Sequence, residues 1–79
     1  MENSDATLTV YGKPACVQCT ATERYLSSRE RSYIKIDVTK DAEAFDMLIE
    51  MGYQQVPVVV AEDGTHWGGF DPDRLAQYA

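Results

Sequence analysis

Hydrophobic and polar positions in the first half of the chain predict a strand, a helix and a second strand. Residues 7–11 alternate polar and apolar side chains and are rich in β-branched residues, which is typical of a strand. Gly12 and Pro14 interrupt that pattern. Apolar residues then recur at helical spacing over about residues 16–28, and residues 33–38 alternate again. We therefore expect a β-α-β unit with two parallel strands and a right-handed crossover.

The next segment predicts a second helix followed by a buried strand. Asp41 is suited to start the helix and Gly52 to end it. Residues 56–61 are apolar on both faces, as expected of a strand inside a sheet. The helix carries an apolar stripe that we expect to be core, formed by Ala42, Phe45, Leu48 and Ile49.

The rest of the chain predicts a hairpin and a third helix. The pair Asp63-Gly64 is a strong signal for a tight turn, so residues 65–67 are expected to return as a short edge strand. Asp71 is a suitable N-cap, and Pro72 fits the first helical position after it. The complete order, β-α-β-α-β-β-α, predicts an α/β fold with a mixed four-stranded sheet flanked by three helices.

Length and composition limit this pattern to one domain. A chain of 79 residues has room for a single hydrophobic core, and 44% hydrophobic with 25% charged residues is ordinary for a folded domain. We therefore treat residues 1–79 as one domain in which residues 1–6 are loose. Because so small a core is marginal, most of the Val, Ile and Leu side chains are expected to be buried.

Charge argues against two classes of ligand. With 13 acidic and 7 basic residues the net charge is −6, which disfavours binding to nucleic acid or an anionic membrane. Residues 1–40 carry six basic and five acidic side chains, whereas residues 41–79 carry one basic and eight acidic side chains. The acidic half is either a solvated helix face or a surface that steers a partner protein. The sequence shows neither a membrane-spanning stretch nor a basic-then-apolar leader, which predicts a cytoplasmic protein.

The two cysteines, Cys16 and Cys19, allow three kinds of role. A disulfide between them closes almost no loop, so a purely structural role is weak. A structural zinc site needs about four ligands. Only His66, which we expect on the surface of the edge strand, adds an imidazole, so a zinc or iron–sulfur role requires a dimer or recruited carboxylates. Redox chemistry needs no further ligand.

The junction between the first strand and the first helix favours the redox role. Cys16 begins the helix, and Cys19 returns to the same side of its first turn. The positive partial charge and the free N–H groups of a helix N-terminus favour a thiolate and lower the pKa of Cys16. We therefore predict that Cys16 attacks a partner disulfide and that Cys19 resolves the mixed disulfide.

Pro57 lies where a buried strand begins, which is an unusual place for a residue without an N–H group. We predict a cis Val56–Pro57 bond beside the cysteine pair. The backbone of Val56 would then pair with a substrate chain as an extra strand. A trans proline at a strand edge is the alternative.

Three segments of the chain resemble the NrdH-redoxins, which are glutaredoxin-like proteins of the thioredoxin fold. The resemblance extends from about residue 7 to residue 75. The Val17-Gln18 pair between the cysteines is its most specific part. The three segments are residues 11–19 (YGKPACVQC), 56–57 (VP) and 67–73 (WGGFDPD).

The resemblance implies a thiol–disulfide oxidoreductase that thioredoxin reductase reduces with NADPH. Such a protein passes electrons to the large subunit of class Ib ribonucleotide reductase. It also implies a monomer with no bound cofactor besides the redox-active dithiol. Cys16 matches the family's nucleophile, Cys19 its resolving cysteine and Pro57 its cis-proline. The expected partner contacts are Lys13, Val17, Gln18, Val56, Pro57, Trp67 and Phe70.

Two positions depart from the family's Trp-Ser-Gly-Phe-Arg-Pro-Asp segment, because Gly68 and Asp71 replace its Ser and Arg. Residues 68–71 thereby resemble the Gly-Gly-x-Asp stretch with which glutaredoxins hold glutathione, and Lys13 could pair with a glutathione carboxylate. A glutathione-dependent glutaredoxin is therefore one alternative function, and a metal-binding module is another. Trp67 suits either the core or a docking surface.

Overall fold

A computed structural model describes residues 7–79 and contains the elements in the predicted order. Residues 1–6, which were expected to be loose, lie outside the described residues. The elements are β1 (Leu8–Gly12), α1 (Val17–Ser28), β2 (Ile34–Asp37), α2 (Ala42–Glu50), β3 (Val58–Ala61), β4 (His66–Gly68) and α3 (Pro72–Ala76).

The four strands form one mixed sheet in the order β2-β1-β3-β4. β1 pairs in parallel with β2 and antiparallel with β3, and β3 pairs antiparallel with β4. Tyr11, near the end of β1, lies opposite Val58, the first residue of β3. This register brings the segment before β3 next to the loop after β1, so Pro57 and Cys16 lie at the same end of the sheet.

The helices pack on both faces of the sheet and divide the core in two. Leu26 of α1 and Leu75 of α3 belong to one buried cluster, whereas Ala44 and Leu48 of α2 belong to the other. The predicted α/β architecture, with three helices flanking a mixed sheet, is confirmed. The first cluster consists of Leu8, Val10, Leu26, Val59, Ala61, Trp67 and Leu75.

Most Val, Ile and Leu side chains are buried, as expected, and the exposed ones lie at the rim of the domain. α2 has nine residues and buries Ala44 and Leu48 against the sheet, so its buried side is displaced from the predicted stripe. Ile34 begins β2, which is an outer strand of the sheet. The large exposed apolar side chains include Val17 (85% exposed), Ile34 (51%), Phe45 (50%) and Ile49 (50%).

Polar side chains and a glycine end the helices as predicted. Asp41 accepts a hydrogen bond from the N–H of Ala44 at 3.0 Å, and Asp71 accepts one from the N–H of Arg74 at 3.1 Å. These bonds satisfy N–H groups that have no partner inside the helix. Gly52 follows α2 with a φ of +96°, a left-handed conformation that glycine adopts readily.

Tyr78 fastens the end of α3 to the hairpin turn. Its hydroxyl donates to both carboxylate oxygens of Asp63, at 2.9 and 3.1 Å, and its ring stacks on Trp67. Hydrogen bonds from the Thr65 N–H and the Tyr78 hydroxyl lower the pKa of Asp63 below its ordinary value. The Asp63 carboxylate therefore holds Tyr78, just after α3, against the hairpin turn.

Candidate active site

Cys16 lies at the strand-to-helix junction, as predicted, and is the N-cap of α1. Its backbone is extended, with φ −117° and ψ 110°, and its sulfur accepts a hydrogen bond from the N–H of Cys19 at 3.2 Å. Ala15, with a φ of +57°, turns the chain from the loop into the helix. The first turn of α1 thus directs an N–H group at the Cys16 sulfur, which favours a thiolate in the dithiol form.

The two cysteines form a disulfide and differ in exposure. Their Cα atoms are 5.2 Å apart, and two residues separate them in sequence. Cys19 is 2% exposed, whereas Cys16 is only partly buried. Because a partner sulfur reaches Cys16 more easily, this difference supports Cys16 as the nucleophile and Cys19 as the resolving cysteine.

The described residues contain no ready-made metal site. In residues 7–79, no three His, Cys, Asp or Glu side chains lie together so that they could hold a metal ion. His66, the third zinc ligand that the sequence offers, is exposed in β4, and its Nδ1 pairs with the hydroxyl of Tyr53. A zinc or cluster role for Cys16 and Cys19 would need ligands from a second copy of the chain or from outside the described residues.

The Val56–Pro57 peptide bond is cis and lies beside the cysteine pair, as predicted. The Cys16 Sγ is 3.8 Å from the carbonyl oxygen of Val56. The Pro57 carbonyl accepts a hydrogen bond from Gly69 at 2.8 Å, but the N–H of Val56 has no partner within residues 7–79. The Val56 backbone is therefore available to an extended peptide, which supports the predicted pairing with a substrate chain.

Gln18 links the active-site helix to the segment before α3. Its Oε1 accepts a hydrogen bond from the N–H of Phe70 at 3.2 Å, although the two residues are 52 positions apart in sequence. The Phe70 ring in turn meets the Tyr25 ring edge-on, with 6.2 Å between the centroids. Gln18 was predicted as a partner contact. The structure also gives its amide a partner inside the chain, so that it positions Phe70 beside Cys16.

We expect Gln18→Met to weaken partner binding without slowing the chemical step. Methionine has a similar length but no good acceptor for the Phe70 N–H, so the segment before α3 loses an anchor. The KM for a protein disulfide should rise about three- to tenfold, while the reaction rate with the small disulfide DTNB stays unchanged. Gln77→Met makes the same change at an exposed position that lines none of the cavities near Cys16, and it should keep the KM near the wild-type value. Steady-state kinetics showing the wild-type KM in Gln18→Met would contradict this positioning role.

A shallow, mostly apolar groove runs along α1 on one side of Cys16. We call it the Tyr25–Phe70 groove; its volume is about 720 Å³, and its lining also includes Cys16, Val17 and Arg24. Val17 and Phe70 thus lie beside Cys16, where the sequence places them. Arg24 was not predicted. The signal for it is its spacing, because a residue seven positions after Val17 lies on the same face of a helix.

A second cavity, of about 260 Å³, lies between α2 and the loop before β3. Phe45 and Ile49 line it together with Lys13 and Val56. Lys13 and Val56 also line a smaller cavity together with Cys16, so both lie near the nucleophile, as their predicted roles require. Phe45 and Ile49 were assigned to the core, so sequence reasoning missed their half-exposed position at this cavity.

Trp67 lies in the core rather than on the surface. It is 5% exposed, and the Tyr78 ring stacks on it with 5.8 Å between the centroids. Its indole N–H is buried and has no hydrogen-bond partner among residues 7–79. Of the two roles predicted for Trp67, this burial supports packing, because a partner can reach little of the ring.

The two departures from the NrdH-redoxin motif have local reasons. A Cβ at position 68 would lie 3.1 Å from Cε1 of Tyr53, so a serine in place of Gly68 would require that ring to move. Asp71 caps α3 by accepting the N–H of Arg74, which an arginine at position 71 could not do. Both departures therefore belong to the bend before α3 and to the start of that helix.

Comparison with known proteins identifies the family. Residues 8–67 match the family model described as Glutaredoxin. The chain is 40% identical over 68 residues to the "Glutaredoxin-like protein NrdH" of Escherichia coli strain K12, which covers 86% of this chain and 83% of the relative. It is 35% identical over 72 residues to the protein of the same name from Lactococcus lactis subsp. cremoris. That match covers 91% of this chain and 99% of the relative.

A solved structure agrees with these relatives. The structure of the glutaredoxin-like protein NrdH-redoxin from Escherichia coli superposes on this chain with a TM-score of 0.88. That relative is described as having a thioredoxin-like activity profile. It is 37% identical, and the match covers 92% of this chain and 95% of that one. The predicted thioredoxin/glutaredoxin-like fold is thereby confirmed. The chain belongs to the glutaredoxin family, and with its Cys16–Cys19 pair it is an NrdH-type thiol–disulfide oxidoreductase.

Proposed function

We propose that the protein carries two electrons from NADPH and thioredoxin reductase to the large subunit of class Ib ribonucleotide reductase. The observation that carries this proposal is Cys16 at the N-cap of α1 in a chain 40% identical to NrdH. The proposal places the protein in the cytoplasm as a monomer that uses its own dithiol and no bound cofactor. No helix among residues 7–79 is long and apolar enough to cross a membrane.

The proposed reaction starts from the dithiol form. The Cys16 thiolate attacks one sulfur of the partner's disulfide, and a bond forms between the two sulfurs. The partner's own S–S bond breaks, and its second sulfur leaves as a thiolate that takes up a proton. The N–H of Cys19, which lies 3.2 Å from the Cys16 Sγ, stabilises the negative charge before the attack.

Cys19 completes the exchange. Its thiolate attacks the Cys16 sulfur, the bond between Cys16 and the partner breaks, and the partner leaves as a dithiol. The partner has then gained two electrons and two protons, and the protein has become the Cys16–Cys19 disulfide. Thioredoxin reductase, using two electrons from NADPH, restores the dithiol.

Contacts in the segment before α3 support thioredoxin reductase over glutathione as the electron source. The N–H of Phe70 donates to Gln18, and the carboxylate of Asp71 accepts from Arg74. Both groups belong to the stretch that resembles a glutathione site, and both have partners inside the chain. One observation favours glutathione as the second candidate, since Lys13 is exposed and lines a cavity with Cys16.

A coupled assay on a protein disulfide distinguishes the two electron sources. One reaction contains NADPH and thioredoxin reductase, and the other contains NADPH, glutathione and glutathione reductase. We expect NADPH oxidation in the first reaction and only background in the second. The reverse result would make the protein a glutathione-dependent glutaredoxin. Reduction of a purified class Ib ribonucleotide reductase, measured as deoxyribonucleotide formed, then tests the proposed acceptor.

A further inference from the structure

The surface around Cys16 carries positive charge, although the whole chain has a net charge of −6. The described lining of the Tyr25–Phe70 groove includes Arg24 but neither Asp nor Glu. A smaller cavity that joins Cys16 to Val56 is lined by Lys13 and again by no acidic residue of the described chain. A partner that reacts at Cys16 therefore meets apolar surface bordered by cations.

Both cations are available to a partner. Within residues 7–79 neither Arg24 nor Lys13 forms an ion pair, and both side chains are exposed. Glu23, the acidic neighbour of Arg24 in sequence, instead pairs with Lys35 at 3.3 Å. A guanidinium group without a carboxylate partner binds a carboxylate through two parallel hydrogen bonds.

The position of Arg24 limits where that carboxylate can be. Arg24 lies eight residues beyond Cys16, which corresponds to about 12 Å along a helix axis. An extended peptide advances about 3.3 Å per residue. Arg24 therefore faces the third or fourth residue from the partner's reacting cysteine, while Val17, Tyr25 and Phe70 border the space between.

We propose that the Tyr25–Phe70 groove receives an extended partner segment of defined chemistry. The segment has a large apolar side chain next to its reacting cysteine and a carboxylate three or four residues away, which Arg24 binds. This inference rests on the proposed function in one respect, since it requires Cys16 to attack a partner's disulfide. It adds the chemistry by which the partner segment is recognised.

Synthetic peptides test the proposal. Each peptide has one cysteine joined through a disulfide to thionitrobenzoate, a Phe beside that cysteine, and either Asp or Asn four residues before or after it. Attack by Cys16 forms the bond to the peptide sulfur and releases coloured thionitrobenzoate, which gives the rate. We expect the Asp peptide to react about two- to fivefold faster than the Asn peptide in one of the two directions. About 0.5 M salt should remove this advantage.

Two variants isolate the contribution of Arg24. Arg24→Gln should abolish the advantage of the Asp peptide over the Asn peptide. Lys40→Gln removes the same charge from an exposed position that lines neither the groove nor the cavity, and it should keep the advantage. Equal rates for the Asp and Asn peptides in both directions, or an advantage that survives Arg24→Gln, would overturn the proposal.

The small disulfide DTNB separates failure of this inference from failure of the proposed function. Reaction of reduced protein with DTNB, together with equal rates for all peptides, overturns the docking proposal alone. A Cys16 that does not react with DTNB overturns its role as nucleophile, and the proposed function with it.

Discussion

Cys16→Ser abolishes disulfide reduction. We expect turnover with NADPH and thioredoxin reductase to fall by at least about a thousandfold, to the background without protein. A serine hydroxyl is neutral at physiological pH and cannot form a sulfur–sulfur bond with the partner, so the first exchange step is lost. The hydrogen bond from the Cys19 N–H, which favours a thiolate at this position, has no such anion to stabilise in the variant.

A control experiment must show that Cys16→Ser still folds. Circular dichroism and thermal unfolding should match those of the reduced wild-type protein, because in both the Cys16–Cys19 bridge is absent. Thr20→Ser, a conservative change in the same helix, should keep most of the turnover. Turnover well above background in the purified Cys16→Ser variant would show that another group performs the attack.

Cys19→Ser converts a transient intermediate into a stable product. Cys16 in this variant still attacks the partner disulfide, but no thiolate follows to displace the partner. We expect a one-to-one covalent complex that is visible on a non-reducing gel, has the summed mass of the two proteins and disappears after dithiothreitol. The burial of Cys19, which is 2% exposed, means that removing its sulfur leaves the entry route to Cys16 unchanged.

A variant that lacks both cysteines checks the prediction for Cys19→Ser. The double variant Cys16→Ser/Cys19→Ser should form no complex, since the trapped bond must pass through Cys16. Wild-type turnover of a protein disulfide by Cys19→Ser with thioredoxin reductase would mean that the resolving role assigned to Cys19 is wrong.

Features determined by a few neighbouring residues could be predicted from the sequence. The caps at Asp41 and Asp71, the hairpin turn at Gly64 and the start of α1 at the cysteines depend on local hydrogen bonds and backbone preferences. The cis bond before Pro57 was predicted as well, although a proline at the start of a strand is compatible with either isomer.

Features that depend on distant parts of the chain could not be predicted. The exposure of Phe45 and Ile49 depends on which side of α2 rests on the sheet, and apolar spacing alone does not settle that. The bond from Phe70 to Gln18 joins residues 52 positions apart. Trp67 illustrates the same limit, since a tryptophan near two glycines suits a surface or a core until the stacked Tyr78 ring is placed.

The two outer strands of the sheet are short, with four residues in β2 and three in β4. An exposed strand edge is a template on which another chain can add a strand and begin an aggregate. Edges this short, with the charged Lys35 inside β2, give such addition few backbone hydrogen bonds. The chain can therefore accumulate in its folded form with little tendency to polymerise through its sheet. We expect a foreign backbone to pair instead at Val56, whose carbonyl oxygen lies 3.8 Å from the Cys16 sulfur.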